Sequence, residues 1–325
     1  MSDAAELTAL DIAEGFHLAQ AAAALHATDV LARLRTASTA ADLAARMGFD
    51  GEVLEGVLAF VAARTELVRA VGEKYVVGAG YDASARFVLD LHVRAFGPVS
   101  ADLTRILRDP ASAARRIDRR AQADAFADDE GDGALAGIVR QLGFGTVVEF
   151  GCAQGALLRR IAEADPQFRG FGVEANARAC RAARERNRAV GVTRRVRIVQ
   201  GDARHPERLQ LPPAARAAEA VIARDFVNEM CRAGGAAAIG WMRELRRLFP
   251  GRILVVADYY GQLGRDPVAA DRRVLLHDFV QLVSGQGVPP ADPAGWTALY
   301  DAAGCRLAHA IEDPRALRFV HLVKL

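Results

Sequence analysis

Residues 149–155 read EFGCAQG, an acid followed by Gly151, Ala153 and Gly155 at alternate positions. Small side chains at that spacing let a chain turn sharply from a strand into a helix and bring its backbone close to a ligand. Ala153 departs from an all-glycine pattern, at little cost unless the position needs a positive φ. Two further acids follow: Glu174 closes the β-like run FRGFGVE, and Asp202, with Ala203 beside it, closes RVRIVQGDA. A carboxylate in the first of these places can accept both hydroxyls of a ribose, and one in the second can accept an adenine amino group. The glycine-type loop alone is common to NAD, FAD and S-adenosylmethionine (SAM) sites. With Glu149, Glu174 and Asp202 closing three strands in order and a fourth strand following, the pattern fits SAM better than a dinucleotide.

A second set of residues offers proton or metal chemistry. The run EAVIARDF carries Arg224, which joins the candidate cofactor-binding residues, and then Asp225, with Asn228 and Glu229 just beyond; His277 stands in LLHDFVQLVSGQG ahead of Phe279 and Gln281. An imidazole meeting Asp225 or Glu229 would make a base pair, or, with His277 and Asp225 as ligands, a site for a divalent or ferric ion. Phe279 and Gln281 are candidates to face substrate, as is His92, with Phe96, in an earlier segment. Trp296 reads as packing and His205 as a surface loop residue.

The elements that must position these groups fall into two halves. From about residue 141 onward, runs rich in Val, Ile and Phe (TVVEF, FRGFGVE, RVRIVQGD, EAVIARDF, RILVVADYY) are separated by helix-length segments, which predicts βα units on a parallel sheet. Ligands on such sheets sit at the carboxyl ends of the strands. CRLAHAIED and ALRFVHLVKL are separated by too few residues for a parallel crossover and predict a closing antiparallel hairpin. Residues 1–95 are helical in pattern, with FHLAQAAAALHATDVLARL, a capped AADLAARMG, DGEVLEGVLAFVAARTEL and two short β-like runs around Gly72 and Glu73. That order predicts a winged-helix-like domain. Its third helix carries Asp50, Glu52 and Glu55 at the start and a base only at Arg64, so it lacks the side chains that read a major groove. Dimerisation and lid duty fit it better than DNA binding. Residues 96–140 read as a helical linker or lid, with DDEGDG as a turn.

Composition agrees. A net charge of +2 in 325 residues implies no polyanionic partner. The four cysteines are dispersed, as free thiols of a reducing cytoplasm would be. The first residues lack the order of a signal peptide, and no apolar run is long enough for a membrane span. A cytoplasmic protein without membrane attachment is the expectation.

GFHLAQAAAALHATDVLARL, TAADLAARMGFDGEVLEGVLAFVA, VVEFGCAQGALL, Glu174, GDA, ARDF and HDFVQLVSGQGVPPADPAGWTALYDAAGCRL together resemble the class I SAM-dependent methyltransferases of the small-molecule O-methyltransferase-like group. The resemblance covers nearly the whole chain. It implies a Rossmann-like sheet in residues 141–325, a homodimer formed through the N-terminal domain, and an acceptor bound between lid domain and sheet. It also implies that Glu149 to Gly155 hold the methionine part of SAM, Glu174 the ribose and Asp202 the adenine. Where O-methylating relatives carry a basic His in an HDW-like motif, this chain has ARDF, so Arg224 replaces the base, and arginine cannot accept a proton near neutral pH. The absence of that base favours a carbon acceptor, such as the enolate of a 2-oxo acid, over a hydroxyl. Some relatives that methylate such carbons bind a metal partly through a His on the helix matching that of His277. Two rivals remain at this point: a winged-helix regulator that senses a ligand, and an inactive partner subunit.

Overall fold

The computed structural model describes residues 7–126, 133–264, 271–313 and 318–325. Two compact units emerge, Met1–Pro98 and Val99–Leu325.

In the first unit, α1 (Ala9–Ala27), α2 (Val30–Arg33), α3 (Ala40–Met47) and α4 (Gly51–Arg64) precede a hairpin of β1 (Val68–Val71) and β2 (Lys74–Val77). Short polar side chains start the helices. Thr8 forms a reciprocal capping box with Asp11, Thr39 caps α3 and Asp50 caps α4, each satisfying first-turn N–H groups that have no partner within the helix. Gly48 ends α3 in the left-handed conformation, at φ 70°. Leu25, Leu31, Leu43 and Leu58 pack with Val68 and Tyr75 of the hairpin. Tyr75 donates to Glu55 at 2.5 Å. One of the acids that argues against DNA binding therefore ties the hairpin to α4.

α5 (Ala83–Val88) continues into a π-helical turn, Leu89–Ala95. His26 Nε2 lies 3.0 Å from the Asp90 carboxylate there, and Arg94 pairs with the same carboxylate. His92 is half-buried in this turn, and Phe96, just beyond it, is buried. α6 (Gly97–Ala101), α7 (Leu103–Ile106) and a 3-10 turn at Pro110–Arg115 follow as short pieces where the sequence predicts longer helices. Gly97, Pro98 and Pro110 account for the breaks. Apart from Gly133, the DDEGDG turn lies outside the described residues.

The second unit contains α8 (Arg119–Ala125), α9 (Gly133–Gln141), β3 (Thr146–Phe150), α10 (Ala156–Ala164), β4 (Arg169–Glu174), α11 (Ala177–Ala189) and β5 (Val196–Gln200). After these come α12 (Pro213–Arg216), β6 (Ala220–Arg224), α13 (Arg232–Leu248), β7 (Ile253–Tyr259), α14 (Arg272–Val283), α15 (Pro293–Ala302), β8 (Arg306–Asp313) and β9 (Arg318–Lys324). The sheet runs β5-β4-β3-β6-β7-β9-β8, parallel from β5 to β7 and antiparallel at β9 and β8. The predicted βα repeat and closing hairpin are both present.

Alternate side chains on the strands serve two cores. Val148 and Phe150 join Trp241, Phe249 and Leu254 on one face, while Val147 joins Leu157, Ile161 and Ile198 on the other. Each fully buried side chain of this kind is worth about 1.5–3 kcal/mol. That burial fixes the register, and with it the residue at which each strand stops. β4 and β5 lie to one side of β3, and β6 and β7 to the other. The order therefore reverses between β3 and β6, and a crevice opens there at the carboxyl ends.

Candidate active site

The turn after β3 is drawn against β4: the N–H groups of Gly151 and Cys152 both donate to the Val173 carbonyl, at 2.9 and 3.1 Å. Gly151 has φ 73°, and a Cβ on it would lie 2.6 Å from the Phe226 ring, so side chain and conformation both demand glycine. Gly155, at φ 66°, starts α10. Ala153 also has a positive φ, 46°. The alanine is therefore not the low-cost substitution its sequence context suggests; the left-handed region costs a non-glycine residue about 1–2 kcal/mol. Its N–H donates to Glu174 at 3.0 Å, and the other Glu174 oxygen accepts from the Asn176 N–H at 2.7 Å. The strained turn and the end of β4 thus hold one carboxylate between them.

Above this turn lies a cavity of about 680 Å³, the size of a pocket for a small ligand. Gly151, Ala153, Glu174, Asp202, Ala203, Arg224, Asp225 and Glu229 all border it. Glu149 and Gly155 do not. β3 runs one residue past Glu149, and the alternation of the strand sends that side chain, fully buried, to the face of Val147, with Arg224 Nε 4.0 Å from its carboxylate. Asp202 is exposed at the rim, where one oxygen also accepts from the Arg204 N–H at 3.0 Å. The Ala203 carbonyl accepts from the Trp241 indole at 2.9 Å.

The wall opposite the strand ends was invisible in the sequence. It is α8, which brings Arg119, Gln122 and Ala123 to the cavity. Three contacts hold it: Gln154 Nε2 donates to the Ala123 carbonyl at 2.8 Å, Asn176 Nδ2 donates to the Arg119 carbonyl at 2.9 Å, and Arg178 pairs with Asp124 at 2.8 Å. All three span long stretches of chain, so no local pattern could reveal them. Burial raises the pKa of Glu174, and Glu229 adds to the rise, while the backbone N–H groups of Asn176 and Ala153 oppose it. Burial likewise lowers that of Arg119, assisted by nearby Arg204 and opposed by Glu229 and Glu174.

Beyond Arg224 the chain turns through Asp225, another left-handed residue, at φ 49°. Its N–H donates to the Ala257 carbonyl at 2.9 Å, and its carboxylate accepts from Arg318 on β9. Burial works against ionisation of Asp225, but Arg318, Arg224 and His277 outweigh it and hold its carboxyl below the usual range. Glu229 pairs with Arg204 at 2.8 Å.

His277 and Gln281 lie one turn apart on α14 and meet at 3.2 Å. Burial lowers the pKa of His277, and the charges of Asp225, Asp278 and Glu229 partly restore it. The imidazole is therefore neutral near pH 7 and within electrostatic reach of two carboxylates that border the cavity. Phe279 lies on another side of α14 and is exposed, whereas Gln281 is buried. Sequence reading missed Tyr259 and Asp278, both buried beside His277, and Arg318.

The metal expected at His277 and Asp225 does not fit these donors. Asp225 is bound to Arg318, the neighbouring strand-end residue is a guanidinium, and among the described residues no group of three or more His, Cys, Asp and Glu side chains is placed to hold a metal ion. The four cysteines are buried free thiols. Among the described residues no helix is long and apolar enough to cross a membrane.

Comparison with known proteins bears on this geometry. Residues 147–247 match the family described as a methyltransferase domain. No curated protein sequence gives a significant match. Among solved structures, the mitomycin 7-O-methyltransferase MmcR superposes with a TM-score of 0.75 at 18% identity, covering 97% of this chain and 96% of that one. PigF with SAH gives 0.75 at 19% identity, covering 98% and 100%. RosA from Streptomyces davawensis, an N,N-8-amino-8-demethyl-D-riboflavin dimethyltransferase, gives 0.61 at 21% identity, covering 97% and 96%. At such identities the likeness is one of fold. Residues 147–247 thus carry a methyltransferase domain, in a chain that has the fold of these solved methyltransferases.

Proposed function

We propose that the protein methylates a small metabolite, with SAM in the cavity beneath α8 and the acceptor at the Asp225, Glu229 and His277 end. In this reading the Gly151–Gly155 turn takes the methionine part, Glu174 the ribose hydroxyls and Asp202 the adenine amino group. Arg224 lies on the cavity floor, backed by Glu149. The observation that carries the reading is the Glu174 carboxylate, pinned by the N–H groups of Ala153 and Asn176 at the cavity edge. Each oxygen has a second lone pair for a vicinal diol. Calorimetric titration with S-adenosylhomocysteine (SAH) and with NAD tests it: SAH should bind and NAD should not, and the reverse would refute the reading.

His277 is the base of this proposal, and the acceptor atom is the oxygen of an acidic hydroxyl, a phenol or an enol. A neutral imidazole that feels the charges of Asp225 and Glu229, both on the cavity lining, supports this choice, because it supplies the proton acceptor that Arg224 cannot. Arg224 at the strand end supports a second reading, a carbon acid methylated as its enolate with the guanidinium facing the developing charge. Incubation with labelled SAM and a panel of phenols, enols and 2-oxo acids, with the products located by NMR, separates the two.

The N-terminal unit is proposed to hold two copies together. Ile12 and Phe16, one turn apart on α1, are 62% and 58% exposed, an apolar spot that association would cover. Sedimentation of the wild type and of a Phe16→Glu variant tests this; a monomeric wild type would refute it.

A further inference from the structure

Behind His277 stands a line of buried polar groups that methyl transfer as proposed leaves unexplained. Gln281 Nε2 lies 3.2 Å from His277 Nε2, and Gln281 Oε1 lies 3.2 Å from the Tyr259 hydroxyl, placed to accept from it. Tyr259 in turn lies 2.9 Å from Asp278 Oδ1. The second Asp278 oxygen accepts from the N–H groups of Gln262 and Leu263 at 2.6 and 2.9 Å. Tyr259, Asp278 and Gln281 are 4%, 0% and 2% exposed. The Tyr259 and His277 rings also touch edge to face, with centroids 5.5 Å apart.

Counting donors orients the whole line. Asp278 already takes two backbone N–H groups and acts as an acceptor, so the single Tyr259 hydrogen goes to Asp278, the nearer and more strongly accepting of its two neighbours. Burial, with Asp278 and Asp258 close by, pushes the Tyr259 phenol far up and keeps that hydrogen in place. The Tyr259 oxygen can then only accept. Amide oxygen and nitrogen are alike in shape, and their partners decide which is which. The donor count therefore calls for the Gln281 amide to be turned over from its placement, with the NH₂ donating to Tyr259 and the carbonyl facing His277. A carbonyl facing Nε2 requires that nitrogen to carry the proton. The opposite arrangement would leave the Gln281 carbonyl facing a hydroxyl whose hydrogen is committed elsewhere, a buried mismatch costing about 1–3 kcal/mol.

We propose that Asp278, Tyr259 and Gln281 are positioning residues that lock His277 as its Nε2–H tautomer, making Nδ1 the atom that takes the proton from the acceptor. The inference deepens the role of His277 as base and rests on that reading for its function, though not for the tautomer itself. When the acceptor reacts, its proton passes to Nδ1 and its freed electron pair forms the bond to the methyl carbon. The carbon–sulfur bond breaks with its pair left on sulfur. The resulting imidazolium keeps its Nε2–H on the Gln281 carbonyl, so no group behind it has to reorient during the step.

Long-range ¹H–¹⁵N spectra of protein labelled at histidine test this, with the His277 signals assigned by their loss in His277→Asn. The wild type should give the Nε2–H pattern at His277. Gln281→Met and Tyr259→Phe should mix in the other tautomer and lower kcat about tenfold, with KM and SAH affinity within a factor of two. Gln281→Glu, whose carboxylate still accepts from Nε2–H, should restore the wild-type pattern and most of the rate. An Nδ1–H pattern in the wild type, or an unchanged tautomer in both Gln281→Met and Tyr259→Phe, would overturn the relay. Full activity in His277→Ala would instead overturn the base, leaving the tautomer result as it stands, so the two failures are separable.

Discussion

The two ends of the cavity are built in opposite ways. At the end assigned to the donor, the key groups are strand ends and backbone. Gly151, Ala153, Glu174 and Asp202 follow β3, β4 and β5, adjacent strands in one parallel run, and their geometry is set by N–H groups of the turns themselves. At the end proposed for the acceptor the groups come from the segment after β6 and from β7, α14 and β9, and side chains rather than backbone hold them: Arg318 on Asp225, Arg204 on Glu229, and Tyr259 and Gln281 behind His277. One end is a consequence of the fold. The other is a set of choices laid over it, and one fold can carry many such sets.

If the contrast holds, substitutions at the two ends should separate rate from binding. The largest expected effect is on turnover: His277→Ala should lower kcat by about 10²–10⁴-fold, the range for loss of a general base, with SAH affinity unchanged by calorimetry. The mirror case is Glu174→Ala: if this carboxylate holds the ribose as proposed, the variant loses two charge-assisted hydrogen bonds and should weaken SAH by roughly 10²-fold or more. Its kcat at saturating SAM should stay within a few-fold of wild type. A Glu174 variant that binds SAH normally would break the comparison outright.

Smaller effects sharpen it. Gly151→Ala puts a Cβ against the Phe226 ring at a left-handed position and should cost about 1–3 kcal/mol of stability in urea titration. Because burial depresses the His277 pKa below its ordinary 6.5, kcat/KM should hold its plateau as pH falls to that value and drop only below it, as the imidazole gains its proton. A limb centred above pH 6.5 would exclude this histidine as the base. The smallest change is Ala153→Gly. It relieves about 1–2 kcal/mol of left-handed strain while adding freedom to the unfolded chain, for a net gain of about 0.5–1 kcal/mol.

The strand-end residues that border the cavity were largely legible in the sequence because their signals are local. A carboxylate after a β-like run lands at a strand end whenever the run is a strand, and the period-two burial of Val147, Val148 and Phe150 makes it one. Glu149 was the exception: strand β3 extends one residue further, and parity turned the acid into the sheet. The α8 wall was not legible, since its ties to Gln154, Asn176 and Arg178 each join residues more than thirty positions apart. At the acceptor end the sequence offered His277, Asp225 and Glu229 as a group. It gave no hint that Arg318 would occupy Asp225, the contact that removes the metal reading.

By itself the sequence determined the order of strands and helices, the closing hairpin and the run of small and acidic residues that marks the donor turn, because periodicity and turn chemistry act over a few residues. Only the tertiary structure decided which way Glu149 faces, what covers the cavity and which groups stand behind His277. Those outcomes depend on register and on hydrogen bonds between distant segments, whose energies count only once the hydrophobic cores have brought the segments together.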